Sequence, residues 1–561
     1  MASKLSSMAS KLSSTIPICL LLIFFFSPSI AIIDTPQLVC NLTPFPLMCT
    51  SILSQAKPGT LHDYGRFCMH QSLLDAIQSL SLIEHYLQLP STSYLTTIRA
   101  LEDCRSLASL NIDFLTQTFS AINSSTDSST TSTILDSYQA DDSETLLSAV
   151  ITNQVTCLDG IQALESSASR MLSDLLVFLF DVSKKHSVTL ALFKHGNWGG
   201  GGGSPNENRK VYESVLNGRK LLGINTTTDD QNKYYSTKVN VSTVVVVRPD
   251  GSGDFATINE AVAAAPNNTD KSYGYFMIYV AAGVYEEYVS IPKYKKYLMM
   301  VGDGINQTVI TGNRNVVDGW TTFNSATFAV VGEGFVGVNM TILNTAGAIK
   351  HQAVAVRNGA DMSTFYKCSF EGYQDTLYAH SLRQFYRDCD IYGTVDFIFG
   401  NAAVVLQNCN IYPRIPMENQ FNAITAQGRT DPNQNTGISM HNCTIKPANS
   451  EYFTSYNNSV KTYLGRPWKE YSRTVYMETF MDSLIDPLGW IEWSGDFALS
   501  TLYYAEYNNT GPGSITTNRV KWSGYRVIDQ TDAFNFIVSN FTGGNNWLPK
   551  TGVPFNKGLL S

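Results

Sequence analysis

A repeat inside the stretch 365–400 constrains this chain more than any other feature. The step from Cys368 to Cys389 equals the step from Asp375 to Asp396, and each aspartate follows its cysteine at the same short distance in sequence. If one such step forms one turn of a coil, the two aspartates occupy equivalent places on successive turns. Neighbouring strands lie roughly 4.8 Å apart, so the carboxylates would lie side by side. Because like charges that close hinder each other's ionisation, the pair is a candidate functional site.

The same template recurs on both sides of this stretch. Met340, Cys409 and Cys443 each follow an asparagine and precede a Thr-Ile or Asn-Ile pair. The steps between successive members of the series are unequal, and the longest is the step from Cys409 to Cys443. Turns of a coil whose loops vary on one side produce unequal steps, and periods of this size are typical of solenoids. We therefore predict a parallel β-helix, with the short strands of an ordinary β-sandwich as the alternative.

The length and net charge of the chain limit its domain organisation and the classes of function that it can have. A chain of 561 residues favours more than one domain. The formal net charge of −8 provides no basic footprint, so nucleic-acid binding is not expected.

Residues 1–31 are predicted to be a secretory signal peptide. Lys4 and Lys11 precede Ile16–Phe26, an apolar run that is too short to span a bilayer. An uncleaved membrane anchor is the alternative. A secreted, extracellular chain permits disulfides, and it makes the eleven Asn-x-Ser/Thr sequons candidate glycan acceptors. We expect no membrane contact after the signal is removed.

Residues 34–194 are predicted to form an antiparallel four-helix bundle. Leu73, Ile77, Leu80, Ile83 and Leu87 recur at steps of three or four, and similar runs follow. Two cysteine pairs are expected to bond, one across a short N-terminal hairpin and one between separate helices: Cys40 with Cys49, and Cys104 with Cys157. Cys68 is left over as a buried thiol.

Beside the spacing of the first two cysteines, the helical region contains three short runs: Asp103-Cys104, Thr156-Cys157-Leu158-Asp159-Gly160 and Ser187-Val188-Thr189-Leu190-Ala191-Leu192. In these features it resembles the plant invertase and pectin methylesterase inhibitor family.

Residues 195–242 are predicted to be a glycine-rich linker, with Gly199–Gly203 as its flexible part. Inside it lies the dibasic run Arg219, Lys220, Leu221 and Leu222. An exposed dibasic site in a linker is a candidate for a processing protease. A solvated charge pair is the alternative.

Residues 243–561 are rich in β-branched and aromatic residues and form the predicted β-helix. The step from Gln352 to Gln374 is again about one turn, so two carboxamides can join the two carboxylates on one face. Amides donate hydrogen bonds without adding charge, which suits an oxyanion hole. Arg466 would supply a cation that keeps a neighbouring carboxylate ionised. Each of these residues also has a structural explanation when it is considered alone. The two glutamines would be part of a stacked ladder, Arg466 would form a surface ion pair, and Trp468 would belong to the core.

The region 243–561 resembles the catalytic domain of pectin methylesterases along nearly its whole length. Five ordered motifs carry the match: Gly283-Val284-Tyr285-Glu286-Glu287, Gln352-Ala353-Val354-Ala355-Val356, Gly372-Tyr373-Gln374-Asp375-Thr376-Leu377, Asp396-Phe397-Ile398-Phe399-Gly400 and Leu464-Gly465-Arg466-Pro467-Trp468. Val356 is the one departure, since leucine is usual there.

The resemblance implies a right-handed parallel β-helix and a set of roles. Asp396 would be the nucleophile, Asp375 the general acid and then base, Gln352 and Gln374 the oxyanion donors, and Arg466 the residue that orients Asp396. The implied substrate contacts are Thr322, Gln352, Arg466 and Trp468. Cys368 and Cys389 match a disulfide of the family, and Cys409 with Cys443 would be a second, analogous pair.

The expected activity is hydrolysis of the methyl esters of cell-wall homogalacturonan, with no metal and no cofactor. The expected partners are methyl-esterified homogalacturonan, a processing protease and a separate inhibitor protein. A polysaccharide hydrolase or lyase is the first alternative, because paired carboxylates also suit a retaining glycosidase. A helical inhibitor of another protein attached to an inert β-helix is the second, and the intact set of candidate catalytic residues argues against it.

Overall fold

A computed structural model describes residues 34–89, 94–124, 135–164, 170, 172–198, 239–449 and 460–560. The predicted signal peptide, residues 1–31, and the dibasic run Arg219–Leu222 lie outside these ranges, as does most of the predicted linker. None of the described helices combines the length and the apolar content that a membrane crossing requires.

The N-terminal part is helical, as predicted. Its helices are α1 (Pro36–Cys40), α2 (Pro46–Leu53), α3 (Leu61–Gln88), α4 (Leu95–Ser124), α5 (Ser137–Gln162) and α6 (Ser173–His195). Reciprocal capping boxes, in which the cap side chain and the third helical residue bond each other's backbone, begin α3 at Thr60 with Asp63 and α5 at Asp136 with Gln139. The four long helices pack in the cyclic order α3, α4, α5, α6.

Two disulfides hold this bundle together, and both were predicted. Cys40 bonds Cys49 and ties α1 to α2, while Cys104 bonds Cys157 and ties α4 to α5. Cys68 is a buried free thiol, again as predicted. Because Cys104 and Cys157 lie far apart in sequence, their cross-link removes many conformations from the unfolded chain.

The C-terminal part is a parallel β-helix of three sheets, with strands numbered in chain order. The long sheet has the order β1 (Val241–Val247), β2 (Tyr275–Val280), β5 (Leu298–Gly302), β8 (Val336–Val338), β11 (Ser363–Tyr366), β14 (Arg383–Arg387), β17 (Ala403–Gln407), β20 (Gly437–His441), β23 (Arg473–Met477), β25 (Tyr503–Tyr507) and β26 (Tyr525–Val527). The site sheet has the order β22 (Thr462–Gly465), β19 (Asn422–Gln427), β16 (Ile398–Gly400), β13 (Leu377–Ala379), β10 (Val356–Asn358), β7 (Phe328–Val330) and β4 (Val289–Ile291). The third sheet has the order β24 (Phe480–Met481), β21 (Thr444–Ile445), β18 (Asn410–Pro413), β15 (Asp390–Gly393), β12 (Ser369–Glu371), β9 (Thr341–Asn344), β6 (Thr308–Gly312) and β3 (Gly283–Tyr285).

Residues that are one repeat apart in the sequence lie opposite each other on neighbouring strands of these sheets, as predicted. On the third sheet, Phe370 pairs with Ile391 one turn later and with Ile342 one turn earlier, and all three side chains are fully buried. Stacks of similar apolar side chains therefore run along the coil interior. Burying each such side chain contributes roughly 1.5–3 kcal/mol, so the ladder is the main source of the stability of the coil.

Short helices cover the first turns of the coil and one face of the long sheet. Near the first strands, α7 (Ile258–Ala264) begins with a capping box formed by Thr257 and Glu260, and it buries its apolar face in the core. At the C-terminus, α8 (Gln530–Ala533), α9 (Val538–Phe541) and α10 (Gly544–Trp547) follow the last strand, and side chains from α9 and α10 cover part of the long sheet. A solenoid needs a cover such as α7 because its first turn has no neighbour on one side.

The predicted disulfide between Cys368 and Cys389 is wrong, as is the analogous pairing of Cys409 with Cys443. All four are buried free thiols. They stand directly before in-register strands of the third sheet, so their side chains form one stack in which Cys389 meets both Cys368 and Cys409. Each thiol also lies within hydrogen-bond reach of a backbone carbonyl, as Cys443 does with Leu406 O at 3.3 Å. The spacing in sequence that suggested a disulfide is also the spacing expected of free cysteines that stack on successive turns.

Candidate active site

The two aspartates lie on adjacent turns of the site sheet, each two residues before a strand. Leu377 pairs with Ile398 in register, and the Asp375 amide donates to Val395 O at 3.1 Å. Asp375 is 7% exposed and Asp396 is 5% exposed. Both have a positive φ, 65° and 53°, a conformation that aspartate tolerates better than most residues. The register of the coil thus brings the two carboxylates together, as the repeat predicted.

Arg466 distinguishes the two aspartates. It follows β22, and its guanidinium forks onto Asp396, with Nε 2.8 Å from Oδ1 and Nη2 2.7 Å from Oδ2. The same guanidinium lies over the ring of Trp493, 4.3 Å from its centroid, and within 5.4 Å of the Phe421 centroid. A planar fork held between rings and a carboxylate has little freedom to turn away, so Asp396 is fixed in orientation.

The two carboxyl groups differ in their pKa values for the same reason. Burial, followed by the charge of Asp396, raises the pKa of Asp375 well above its usual range, and Arg466 opposes this only by its charge, without a hydrogen bond. Burial also raises the pKa of Asp396, but the hydrogen bonds and charge of Arg466 oppose that rise directly. Of the two carboxyl groups, Asp375 therefore has the higher affinity for a proton.

Gln352 and Gln374 lie beside the aspartates on the same face. Gln374 directly precedes Asp375, and its backbone carbonyl accepts from the Ala353 amide at 3.2 Å. In register, Ala353 and not Gln352 stands opposite Gln374, which is why the step between the glutamines is one residue longer than the step between the aspartates. Within the described residues neither side-chain amide forms a hydrogen bond, and both side chains are half-buried, so their donors are available to a ligand.

Thr322 and Trp468 stand at opposite ends of this row. Thr322 begins a single helical turn, Phe323–Ser325, before β7. Trp468 follows Arg466, and its ring lies over Gly428, where a Cβ atom would come within 2.8 Å of it. Glycine at 428 therefore makes room for the indole. The sequence-predicted residues thus lie along one cleft that crosses the site sheet.

Two aromatic residues of the cleft were missed. Tyr378 and Phe399 pair in register, three residues after Asp375 and Asp396, and their rings stack with centroids 4.2 Å apart. Trp468 packs edge-on against Phe399, with centroids 6.0 Å apart. The step along the chain that relates the aspartates also relates these two rings, so the repeat contained the signal.

The helical bundle covers the cleft. Leu158 and Ile161 of α5 share one apolar cluster with Tyr378, Phe399 and Trp468. Around this cluster, polar contacts join the two parts: Lys469 Nζ with Asp159 Oδ1 at 2.7 Å, His380 Nε2 with Thr156 Oγ1 at 2.9 Å, Gln434 Nε2 with Ser148 O at 2.8 Å and Arg383 with Asp142 at 2.7 Å. In this arrangement α5 lies over the aromatic residues beside the row of polar groups.

Asp103 of α4 makes a deeply buried charged contact of this interface. Its carboxylate accepts from Thr321 Oγ1 at 2.5 Å and from the Asn324 amide, beside the predicted substrate contact Thr322. Burial raises the pKa of Asp103 to about 7, although Thr321, Arg357 and Asn324 oppose the shift. No local pattern predicts this contact, because its partners are remote from one another in sequence.

No group of three or more His, Cys, Asp or Glu side chains in the described ranges could hold a metal ion.

Comparisons with known proteins agree with this geometry. The family model for pectinesterase matches residues 244–545, and the model for plant invertase/pectin methylesterase inhibitor matches residues 34–192. An Arabidopsis thaliana protein named "Probable pectinesterase/pectinesterase inhibitor 41" is 54% identical, over 94% of this chain and 95% of its own. "Pectinesterase 2" of Citrus sinensis is 61% identical over 56% of this chain and 60% of its own.

A solved structure supports the same assignment for the β-helix. "Pectin methylesterase from Carrot" is 54% identical, with a TM-score of 0.55, and the match covers 56% of this chain and 98% of the carrot chain. The match takes in nearly all of the carrot chain and a little over half of this one, which is about the share that the β-helix makes up. The chain belongs to the pectinesterase family and carries, ahead of its β-helix, a domain of the plant pectin methylesterase inhibitor family.

Proposed function

We propose that the β-helix hydrolyses the methyl esters of homogalacturonan through an acyl-enzyme on Asp396, and that the helical bundle blocks this reaction until it is released. One observation carries the proposal. Arg466 forks onto Asp396 and not onto Asp375, so two carboxyl groups on adjacent turns have unequal proton affinities.

Asp396 is the nucleophile. Its carboxylate attacks the ester carbonyl of the galacturonate unit, and a tetrahedral intermediate with a negatively charged oxygen forms. Asp375 holds its proton because burial and Asp396 raise its pKa, so it gives that proton to the leaving methanol. Asp375, now a carboxylate, then takes a proton from water, which attacks the acyl-enzyme and frees Asp396.

Gln352 and Gln374 stabilise the oxyanion. Their side-chain amides have no hydrogen-bond partner among the described residues, so they can donate to the developing charge without breaking an existing contact. Removing one such donor typically costs a hundredfold to a thousandfold in rate, which is about 3–4 kcal/mol. Thr322 and Trp468 bind the polymer on either side of the reacting unit.

The helical bundle acts as an inhibitor in cis. The apolar side chains of α5 lie on the aromatic cleft residues, and Lys469, next to Trp468, pairs with Asp159. A tethered domain faces its target at an effective concentration of the order of millimolar, so a weak interface suffices. Cutting at Arg219–Leu222 would remove the tether, and a secreted precursor would meet the processing protease on its way to the cell wall.

The test is methanol release from esterified pectin by three proteins: residues 223–561, the same protein with Asp396→Ala, and the full chain with Arg219→Ala and Lys220→Ala. We expect full activity in the first, a loss of at least about a hundredfold in the second, and strong inhibition in the third. New reducing ends or unsaturated sugars in place of methanol would indicate a hydrolase or lyase. Equal specific activity of the first and third proteins would refute autoinhibition and leave the esterase assignment standing.

A further inference from the structure

Four side chains form a column at the edge of the cleft, here called the guanidinium–aromatic column: Tyr288, Arg314, Trp320 and Arg99. The Arg314 guanidinium carbon lies 3.7 Å from the Tyr288 ring centroid and 3.8 Å from the Trp320 ring centroid. Arg99, from helix α4 of the bundle, lies 3.7 Å from the same Trp320 centroid. Because Arg314 takes the face of Trp320 that looks toward Tyr288, Arg99 takes the other face, and the indole is held between two cations.

The column lies at the N-terminal end of the row of catalytic groups. Trp320 is two residues before Thr322, and the loop that carries it is bonded to the next turn through Val316 N and Gln352 O, 3.1 Å apart. That loop leads into β7, which is two strands from β13 in the site sheet. At roughly 4.8 Å per strand, β7 is of the order of 10 Å from β13, so the loop that leads into β7 is within the reach of a polymer bound in the cleft.

The positive charge of the column is not neutralised by the protein. Among the described residues neither Arg314 nor Arg99 forms an ion pair, and the acidic residue of the same loop, Asp318, is held by Lys350 at 2.5 Å. Arg99 instead donates a hydrogen bond to Gly319 O at 2.5 Å. Such half-buried guanidinium groups, close together and without a carboxylate, favour an anionic ligand.

Arg314 is oriented for one kind of anion. Rings cover both of its faces, so its N–H groups are left to donate along the edges of its plane. A guanidinium fork presented edge-on matches a carboxylate, which it binds with two parallel hydrogen bonds. The Trp320 face now occupied by Arg99 is flat and apolar, and it would be bare once the helical bundle has left, open to the C–H face of a sugar ring.

We propose that Trp320 and Arg314 form a subsite for a de-esterified galacturonate unit of the polymer, and that Arg99 occupies this subsite in the uncut chain. The inference rests on the proposed function, since it assumes that the polymer lies in the cleft. The sugar ring packs on Trp320 in place of Arg99, and its free carboxylate pairs with Arg314. A methyl ester at the same unit carries no charge to pair, so the subsite selects units that have already lost their methyl group.

The test measures binding of hexagalacturonate, as free acid and as full methyl ester, to residues 223–561 by calorimetry. An Asp375→Asn background prevents turnover and leaves the Arg466 fork on Asp396 intact. In this background we compare Arg314→Gln, Arg314→Lys, Trp320→Ala and Trp320→Phe. The matched control is Arg526→Gln, because Arg526 also stacks on a ring, 4.5 Å from the Tyr503 centroid, but belongs to the last strand of the long sheet.

We expect Arg314→Gln to weaken binding of the free acid by about tenfold, the usual weight of a charge-assisted hydrogen bond, and to leave binding of the methyl ester within twofold. Trp320→Ala should weaken both oligomers, and Arg526→Gln neither. Arg314→Lys and Trp320→Phe preserve the fold and should each retain part of the affinity. Binding of the free acid within twofold of the parent in both Arg314 variants, with the fold intact by circular dichroism, would overturn the subsite. A parent enzyme that bound the free acid but, without the Asp375→Asn change, released no methanol would instead count against the proposed function alone.

Discussion

Asp375 and Asp396 show how one contact separates two identical side chains. Both are buried, and both stand at the same position of the repeat. Only Asp396 receives the fork of Arg466. The chain therefore keeps a buried carboxyl group, Asp375, that has no cation of its own, and this arrangement should lower the stability of the fold.

We predict that Asp375→Asn stabilises residues 223–561 at neutral pH while abolishing turnover. The pKa of Asp375 is raised in the folded state, so the folded protein holds a proton that the unfolded chain has lost. Stability therefore falls as pH rises above the unfolded pKa of about 3.9. Asparagine has no such proton. Thermal unfolding should show a higher Tm for the variant at neutral pH than for the parent, and the difference should shrink as the pH falls toward the unfolded pKa.

Asp396→Asn is the control for this prediction and should act in the opposite direction. It leaves the Arg466 guanidinium, whose side chain is 18% exposed, without its carboxylate. Removing one partner of a buried pair typically costs about 3–5 kcal/mol. A lower Tm for Asp375→Asn than for the parent at neutral pH would contradict the assignment of Asp375 as the protonated member of the pair.

At the scale of elements, the stack of four free cysteines in the third sheet shows what can and what cannot be predicted from the sequence. The repeat predicted the coil, the two adjacent aspartates and the row of buried sulfurs, because in-register stacking repeats every property of a turn. It could not decide whether neighbouring sulfurs bond, since the same offset relates an inner member of the stack, such as Cys389, to two others. No local sequence pattern predicts how the bundle docks, because docking depends on contacts between residues that are remote in sequence, such as Arg99 and Gly319.

We predict that residues 223–561 contain four free thiols and no disulfide. Alkylation in denaturant without reductant should label Cys368, Cys389, Cys409 and Cys443, and the same reagent should label none of them in the native protein, because all four are buried. In the full chain, Cys40, Cys49, Cys104 and Cys157 should be labelled only after reduction. A peptide that joined Cys368 to Cys389 in the unreduced digest would show that the two cysteines form a disulfide, and it would contradict this prediction.

At the scale of the whole molecule, the interface between bundle and β-helix is a site of proton uptake. Asp103 is buried there, with Arg357 and Glu102 as the other charged groups that act on it, and its pKa is raised to about 7. Asp159 and Asp431 lie in the same interface, and burial raises their pKa values too. Through these carboxyl groups the docked state holds protons that the undocked state releases. His380, which contacts Thr156 across the interface, acts in the opposite direction, because burial lowers its pKa to about 3.

We predict that autoinhibition weakens as pH rises. The contribution of Asp103 to docking is fully present below the pKa of an exposed aspartate, about 3.9, and it is lost progressively up to the docked pKa of Asp103, about 7. The measurement is the ratio of methanol release by the uncleavable full chain to that by residues 223–561, which cancels the pH profile of the chemistry. From about pH 6.5 to about pH 8 the ratio should rise by about threefold or more, because His380 is neutral in both states over this range and no longer opposes the loss of the Asp103 contribution.

Asp103→Asn tests the assignment of this effect. Asparagine keeps the shape and has no proton to lose, so the ratio should vary less with pH and stay low in the alkaline range. Asp113→Asn is the matched control, because Asp113 is also on α4 and also pairs across the interface, with Lys293 at 2.5 Å, but it is half exposed. If both variants kept the full pH dependence of the parent, another group would have to carry it.

The strands of the site sheet are mostly short and uniform, whereas the steps between turns are not: the step from Cys409 to Cys443 is much longer than the step from Cys389 to Cys409. The candidate catalytic groups enter the cleft from several different turns, and the extra residues of a long turn leave the coil without shifting the register of its neighbours. In this architecture the length of a loop can therefore change while the positions of the candidate catalytic groups stay the same. A lineage can lengthen or shorten one loop to reshape the groove for a different wall polymer and still inherit the two carboxylates, the arginine fork and the amide donors unchanged.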